Sequence, residues 1–548
     1  MKMKTLLISC LALLPLSLFA QRVEDGVLKD CYGVSGEYHI EEGVREIGEY
    51  AFMMSSVTKV YVPASVERIA KCAFNMAPSL TTVVFAPDSK LKEIGEQAFE
   101  MCDKLEAIEL PNSVETIGRS AFTFCESLRK VNIPQSLTEL AYGTFSTCPS
   151  LSKVVIPATC KKIGEFCFAN CKGLGIVEAS CDSIGTKAFY NCKLLSVVNL
   201  KEGVKAIGDS AFARCLALEE LSLPESLDTV GAKLFLHCPD FVGFNVPAAN
   251  KHFLSNQGVL YAKDKSVLYE CPQRFKSDLF ELPSETKIIR SMAFYECQDV
   301  KAIRLHNNIE RIGLGSLANN GMTRFDFEGA ENYLVENDMI YAKLQSTDGY
   351  ALIAVPCRST RTDFVLRPDV AYIGKHTFSF NTTAANITLP ERLLGIGEMA
   401  FFGCHGLKHF YAYAKEAPVL ETEVFGDVPF NAVELHVREG VASLYQLANW
   451  PFAYGSDLTG DYPYVANGVT ITDQARNGII VERLQGSENV LFAAHSTIES
   501  IEIYGYDGTL LKALKHLQTT KVSLSLPQSK PCVAKIKLAD GAVEVRKI

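Results

Sequence analysis

The sequence is poor in several features that would assign it at once. It has one tryptophan in 548 residues. It has no excess of basic side chains: 54 Lys and Arg stand against 63 Asp and Glu, a net charge of −9. Nucleic acid and anionic membrane surfaces require a basic face, so neither is expected as a partner. No Cys-x-x-Cys, His-Glu-x-x-His or Gly-x-Ser-x-Gly occurs, which leaves out common zinc-ribbon, metalloprotease and serine-hydrolase signatures. Beyond the N-terminus no apolar run approaches the ~20 residues of a membrane-spanning helix. What is plentiful is cysteine. Eighteen are present, too many to ignore and, over this length, too few for a small disulfide scaffold. Hydrophobic residues make up 48% and charged residues 21%, the composition of a folded chain. At roughly 100–200 residues per domain, about three or four domains are expected.

Lys2 and Lys4 precede an apolar run from Leu6 to Phe19, and Ala20-Gln21 follows. A basic start, an apolar centre and a small residue at the cut make a secretory signal peptide, residues 1–20, with cleavage after Ala20. The rival reading is a lipid-attachment box, Leu7-Ile8-Ser9-Cys10. It would leave only about five apolar residues before Cys10, short of the usual 7–15 or so. The expected location is therefore secreted or at the outer cell surface, with no transmembrane segment after signal removal. In that compartment disulfides are permitted.

One phrase, Ile-Gly-x-x-Ala-Phe-x-x-Cys-x-x-Leu, recurs along the chain. Its Phe position falls at Phe52, Phe74, Phe99, Phe122, Phe145, Phe168, Phe189, Phe212 and Phe235, at steps of 21 to 25 residues. It resumes at Phe294, Leu317, Phe378, Phe401 and Phe425. In the full repeat, Leu105-x-x-Ile108-x-Leu110 alternates as a half-buried strand does. Pro111 ends the strand, having no N–H to donate. Ile117 is a second buried point, Gly118 allows a tight turn, and Ala121-Phe122 begins a short helical or 3₁₀ turn whose ring fills the interior. A unit of this kind buries one face and cannot do so alone, so the period implies a stacked solenoid.

The period and the Leu-x-x-Ile-x-Leu strand are those of leucine-rich repeats. The Ile-Gly-x-x-Ala-Phe-x-x-Cys phrase resembles the BspA-like (treponemal-type) subclass found in surface proteins, over roughly residues 41–455. The expected fold is an α/β solenoid of about 23-residue repeats with parallel strands and short helical or 3₁₀ turns. Residues 21–40 form an N-terminal cap and 41–457 the solenoid. The stretch Leu435–Gly440, then Tyr445, Ala448, Trp450 and Phe452, resembles the family's closing unit, about 431–457, and makes the single Trp a cap residue.

Two longer gaps, about 243–285 and 327–370, each contain two apolar runs around a polar turn: Gly258–Ala262 with Val267–Pro272, and Met339–Lys343 with Leu352–Cys357. Such patterns read as inserted β-hairpins, and similar ones occur in the family. After about Asp457 the repeat phrase ends. Short alternating stretches with turn signals at Asp507-Gly508 and Asp540-Gly541 suggest a small C-terminal β-sandwich-like domain, 458–548. The order Ile503-Tyr504, Asp507-Gly508, Leu526-Pro527, Lys535-Ile536, Gly541, Lys547 resembles a type IX secretion sorting domain. Where that family carries Gly-x-Tyr, this chain has Ser529, Lys530, Pro531 and Cys532.

Each candidate for chemistry has a simpler reading. Cys102, Cys125, Cys148, Cys171, Cys192, Cys215, Cys238, Cys297 and Cys404 all sit three residues after the Phe position. They read as a structural ladder of buried thiols, small and weakly donating; Ser55, Ala77, Asn320 and Asn381 fill the same slot elsewhere. Cys271 and Cys357 occupy matching places in the two hairpins and could form a bridge. Cys404-His405-x-x-x-His409 looks like a metal cluster, but Cys404 belongs to the ladder and Leu407 is the repeat's core Leu. Gly313-x-Gly315 is in phase with the repeat's Ile-Gly, so it is no dinucleotide fingerprint. Glu219 and Glu220 alternate along a strand and point to opposite faces. No catalytic residue, metal ligand or cofactor is therefore expected, and no enzyme.

What remains is the outward face of the strands, whose positions form columns: Ala107, Lys130, Lys153, Ile176, Val197 and Glu220, and beside them Glu109, Asn132, Val155, Glu178, Asn199 and Ser222. The second column begins at Tyr61 and reaches Tyr411. Val155, Ile176 and Val197 would form a small apolar centre. Extended solenoid faces commonly bind partners. The resemblance implies adhesion to a host or neighbouring-cell surface or matrix protein through multivalent contacts. A glycan-binding or glycan-acting protein and a purely structural envelope protein are the alternatives.

Overall fold

The computed structural model describes residues 22–31, 33–327, 331–344, 349–455, 457–458, 480–483, 489–505, 510–525, 532–539 and 543–547. The expected signal peptide, the stretch Val469–Thr472 and the expected turns at Asp507-Gly508 and Asp540-Gly541 lie outside these residues. The chain divides after Gly258 into two compact units.

In the first unit every repeat contributes two short strands. The Leu-x-x-Ile-x-Leu segments, such as Lys153–Ile156, Ile176–Ala179 and Val197–Leu200, pair parallel and in register: Val154 with Val177, and Val177 with Val198. Their burial alternates, exposed-buried-exposed-buried in Lys153–Ile156. The two-residue strands ending in the Ile of Ile-Gly, such as Lys162–Ile163, Ser183–Ile184 and Ala206–Ile207, form a second parallel ladder. Between the two ladders lies the core. Phe52, Phe74, Phe99, Phe122, Phe145, Phe168, Phe189 and Phe212 are fully buried and stack ring on ring. Successive centroids are 4.7 to 5.5 Å apart and the planes lie within 11° of parallel. That spacing is close to the ~4.8 Å between neighbouring strands. Each pair contributes about 0.5–1.5 kcal/mol beyond burial.

The corner that carries the Phe is not the helical or 3₁₀ turn expected from Ala-Phe. Gln97 and Met101, two residues before and after Phe99, have φ of 55° and 58°, which no right-handed helix accommodates. The N–H groups of Gln97, Phe99 and Met101 donate across to the carbonyls of Arg119, Ala121 and Thr123 at 2.9, 2.7 and 2.9 Å. Those of Glu100 and Cys102 return to Gln97 and Phe99 at 3.2 and 3.3 Å. The corner is thus a laddered turn, with alternate N–H groups tying one rung to the next. A helix would spend those donors within its own rung. The left-handed residues cost about 1–2 kcal/mol each, offset by the bonds between rungs.

The role of Gly118 also differs from expectation. It is absent from the positive-φ residues. A Cβ there would stand 2.5 Å from the Glu96 nitrogen of the preceding rung. The glycine therefore permits close approach of two backbones and supplies no special turn angle.

The second unit repeats the pattern with departures. Val259–Ala262 pairs antiparallel with Val267–Glu270, which in turn runs parallel to Ile288–Ile289. Likewise Tyr333–Glu336, Met339–Lys343 and Tyr350–Ala354 are successive antiparallel neighbours, and Tyr350–Ala354 continues parallel to Val370–Ile373. Residues 243–245, placed at the start of an insertion from the sequence, still pair parallel with Glu220–Ser222 in the first unit. The closing segment carries the α-helix Ala442–Leu447 and the 3₁₀ turn Phe430–Ala432. Among the described residues these are the helical elements, so the fold is a parallel-strand β-solenoid with very little helix. Trp450 is 5% exposed and packs on Phe425 and Tyr445 at centroid distances of 5.4 and 5.2 Å. Beyond it, the strands Ile480–Arg483, Asn489–Gly505, Leu510–Ser525, Cys532–Leu538 and Val543–Lys547 form one antiparallel sheet.

The phase of the repeat predicts opposite outcomes two residues apart. Phe122→Ala should cost about 3–5 kcal/mol, as large-to-small changes in a packed core do. Phe124→Ala, at a position 39% exposed, should change stability by less than about 0.5 kcal/mol. Hydrogen exchange of the neighbouring rungs in the full chain measures both.

Candidate functional site

The thiol ladder lies behind the outward sheet. The Sγ atoms of Cys102, Cys125, Cys148 and Cys171 donate to the carbonyls of Phe74, Phe99, Phe122 and Phe145, each at 3.1 Å. Cys192, Cys215 and Cys238 continue this to Phe168, Phe189 and Phe212 at 3.2, 3.3 and 3.2 Å, and Cys404 to Phe378 at 3.1 Å. The Phe99 carbonyl also accepts the Cys102 N–H of its own rung, so the thiol of the next rung takes its second lone pair. Cys297 departs from the series, turning to the carbonyls of Cys271 and Pro272 at 3.4 and 3.5 Å. Sixteen described cysteines are buried thiols outside any disulfide. Burial pushes the thiols of Cys102 and Cys215 up to about 12.

Cys271 and Cys357 do not occupy equivalent places. The Cys271 N–H donates to the carbonyl of Ala293, whereas in the second insertion the N–H of Val355 donates to Thr377. Cys271 thus matches Val355, and Cys357 lies two residues further along.

On the outward face the parallel register sets which side chains meet. Ile176 is the partner of both Lys153 and Val197, while Val155 faces Glu178, the partner of Asn199. Val155, Ile176 and Val197 are 48%, 36% and 40% exposed. Lys153 reaches diagonally to Glu178 at 2.6 Å, and its ammonium holds the Glu178 carboxyl below the usual carboxylate range. This ion pair crosses between Val155 and Ile176. The apolar centre is therefore the Ile176–Val197 pair, with Val155 set apart. Lys130 makes a similar diagonal pair with Glu109 at 3.3 Å, exposed and worth little. Asn132 both accepts from the Leu110 N–H and donates to its carbonyl, at 2.7 and 2.8 Å, capping the strand edge of the rung before. Asn245 donates to the Glu220 carboxylate at 2.9 Å. Ser222 is exposed beside Asn245.

The second unit carries the equivalent columns over its last rungs. Asn386, His409 and Glu434 are register partners, as are Thr388, Tyr411 and His436. Here three side chains converge. His409 Nδ1 lies 3.2 Å from His436 Nε2. Glu434 Oε2 lies 3.6 Å from the first and 3.5 Å from the second. Among the described residues this is the group of His, Cys and carboxylate side chains whose donor atoms gather within 4.8 Å. The neighbours suspected from the sequence are elsewhere: Cys404 is in the ladder, and His405 Nε2 meets Asp427 Oδ2 at 3.1 Å. Local spacing missed the triad because its members come from adjacent rungs. Adding one rung to His409, in the way the outward columns were built, reaches Glu434.

The other candidates are structural. A Cβ on Gly313 would stand 2.3 Å from the Ser291 nitrogen of the neighbouring rung, and Gly315 has φ +61°.

A solenoid of this kind, with a laddered Phe core, thiol backing and two outward columns, defines a leucine-rich-repeat protein. The family described as BspA type Leucine rich repeat region matches in six copies, over residues 45–175, 176–257, 265–347 and 357–430. The chain belongs to that family. No curated protein matches it. Among solved structures it is similar to a leucine rich cell surface protein from Faecalibacterium prausnitzii A2-165, with 19% identity over 70% of this chain and 90% of that one, at a TM-score of 0.43. It is similar also to a leucine-rich repeat protein from Bacteroides ovatus, 21% identical over 77% and 94% of the two chains, TM-score 0.36. A third likeness is to the pneumococcal vaccine antigen PcpA, 16% identical over 79% and 92%, TM-score 0.33.

The raised thiols make stability depend on pH in a definite direction. An unfolded thiol ionises near its ordinary value of 9.0, whereas Cys102 and Cys215 hold their protons to about 12. Between those values the unfolded state binds fewer protons, so stability is full below pH ~9 and falls as pH rises, by up to about 1.4 kcal/mol per pH unit for each such thiol. Denaturation midpoints measured from pH 8 to 11 should fall steadily. They should fall less in a Cys102→Ala/Cys215→Ala variant.

Proposed function

We propose that the protein is exported and acts as a non-enzymatic binding protein, adhering to a host or neighbouring-cell surface or matrix protein through many weak contacts along the outward sheet. The observation that carries this reading is the Ile176–Val197 pair, two exposed apolar side chains held in register on a face whose neighbouring positions are Lys153, Glu178, Asn199 and Glu220. These side chains lie outside the buried core that the repeat requires, and a contiguous exposed apolar patch is a feature of contact surfaces. The repeat explains the buried residues, so what is variable and outward is what recognises. The C-terminal region, 458–548, is read as a small β-sandwich-like domain that directs or anchors export, and the antiparallel pairs of the second unit as hairpin insertions in the solenoid.

The test is binding of the purified full chain to arrayed matrix proteins and glycans. A protein ligand should emerge, and Ile176→Asp/Val197→Asp should weaken it at least about tenfold, the scale of a central contact residue. Binding confined to glycans, or binding untouched by the double substitution, would sink the reading. For the C-terminal region, fractionation and C-terminal sequencing of the exported product decide: its loss on export supports cleavage-linked sorting, and its retention counts against it.

A further inference from the structure

We infer that His409, His436 and Glu434 form a binding site for a divalent transition metal of the zinc class. Three donors bonded to one ion at about 2.0–2.2 Å in tetrahedral geometry stand about 3.3–3.6 Å apart. The observed triangle, with sides of 3.2, 3.5 and 3.6 Å, is close to one face of that tetrahedron. Hydrogen bonding accounts for only one of its sides. One ring nitrogen can donate to the other at 3.2 Å, while the carboxylate contacts of 3.5 and 3.6 Å are longer than a well-formed hydrogen bond and lie at ion-pair distance.

The strands build the site from below. Glu434 and His436 are two residues apart on one strand and share its outward face. His409 lies directly opposite Glu434 on the next strand. The His436 ring is held between neighbours: Tyr411 stacks on it at 4.8 Å, and Gly455 leaves the room it occupies, since a Cβ there would come within 2.2 Å of Cε1. This packing aims Nε2 at His409. The ligand is preorganised, its ring orientation set by side chains around it, as neighbouring groups orient the ligands of natural metal sites.

The donor set selects the ion. Two imidazoles and one carboxylate suit Zn²⁺, Co²⁺ or Ni²⁺, whereas Ca²⁺ and Mg²⁺ favour oxygen throughout. Three protein ligands leave a fourth position, and it faces solvent, because the side chains of His409 and Glu434 are 34% and 54% exposed. That position is available to water or to a ligand atom from a binding partner. The ion would also cross-link the last two long strands before the closing helix.

The test uses the folded full chain, stripped with chelator and titrated with Zn²⁺ and, separately, Co²⁺. One equivalent of Zn²⁺ should bind and raise the melting temperature. The Co²⁺ complex should show the visible bands of a four-coordinate site without thiolate-to-cobalt charge transfer. His409→Asn and Glu434→Gln, both at positions not fully buried, should fold as the parent does by circular dichroism and lose stoichiometric binding, while His405→Asn should keep it. Absence of stoichiometric binding in the parent, binding unchanged in both His409→Asn and Glu434→Gln, or a thiolate signature in the cobalt spectrum would overturn the assignment.

Discussion

Each rung must repeat itself at the spacing of one parallel strand, and the rest of the structure follows from that constraint. Parallel strands put equivalent atoms of successive rungs about 4.8 Å apart, so an interior slot accepts only groups that tolerate a copy of themselves at that distance. Flat phenyl rings do, and they stack. Thiols do, because each one is small and turns its proton to a carbonyl of the rung before. The glycine of Ile-Gly is required where two backbones approach more closely than a Cβ allows. On the solvent side the same constraint works against like charges. Along the short second ladder the positions Arg45, Glu67, Lys92 and Glu115 alternate in sign, as do Lys161, Asp182, Lys205 and Asp228. Lys92 meets Glu115 at 2.9 Å and Lys161 meets Asp182 at 3.9 Å. A column of one sign would instead place repelling charges at each step.

This constraint separates the positions that build the solenoid from those free to recognise something. Inward slots are committed to repetition. Outward columns are not, and there the composition changes from rung to rung: Lys153 and Glu178 paired, Ile176 beside Val197, Asn132 closing a strand edge, and near the end of the second unit two histidines with a glutamate. The His409–Glu434–His436 group is a different use of the same geometry. Register places three donors together without any special loop, because opposite and diagonal neighbours on a sheet face already lie within reach.

Much of the fold was legible because the period is unbroken over long stretches. The Phe phase identified the core, and the Cys phase turned a cysteine count into a tally of rungs. The outward columns came from the same alignment, whereas the cap role of Trp450 came from the resemblance to the family's closing unit. Other features were not legible for specific reasons. Ala-Phe reads as helix-forming, yet the left-handed φ at Gln97 and Met101 is imposed by hydrogen bonds to the next rung, which no single segment displays. Gly118 looks like a turn residue, since a close backbone contact with Glu96 leaves no local mark. Cys271 and Cys357 look equivalent beside their prolines, but the ladder aligns Cys271 with Val355. The apolar centre lost Val155 to an ion pair whose diagonal direction depends on side-chain reach.

By itself the sequence determined the repeat unit, the inward and outward halves of each strand, and the membership that follows from the Ile-Gly-x-x-Ala-Phe-x-x-Cys phrase. These are properties of periodic burial, and a period can be read from a string of residues. The tertiary structure alone decided how the corners are hydrogen-bonded, which outward side chains are neighbours, and that His409 meets a histidine and a glutamate from another rung. Those depend on register between strands some 25 residues apart, His409 opposite Glu434, and register is set only when the rungs close on one another.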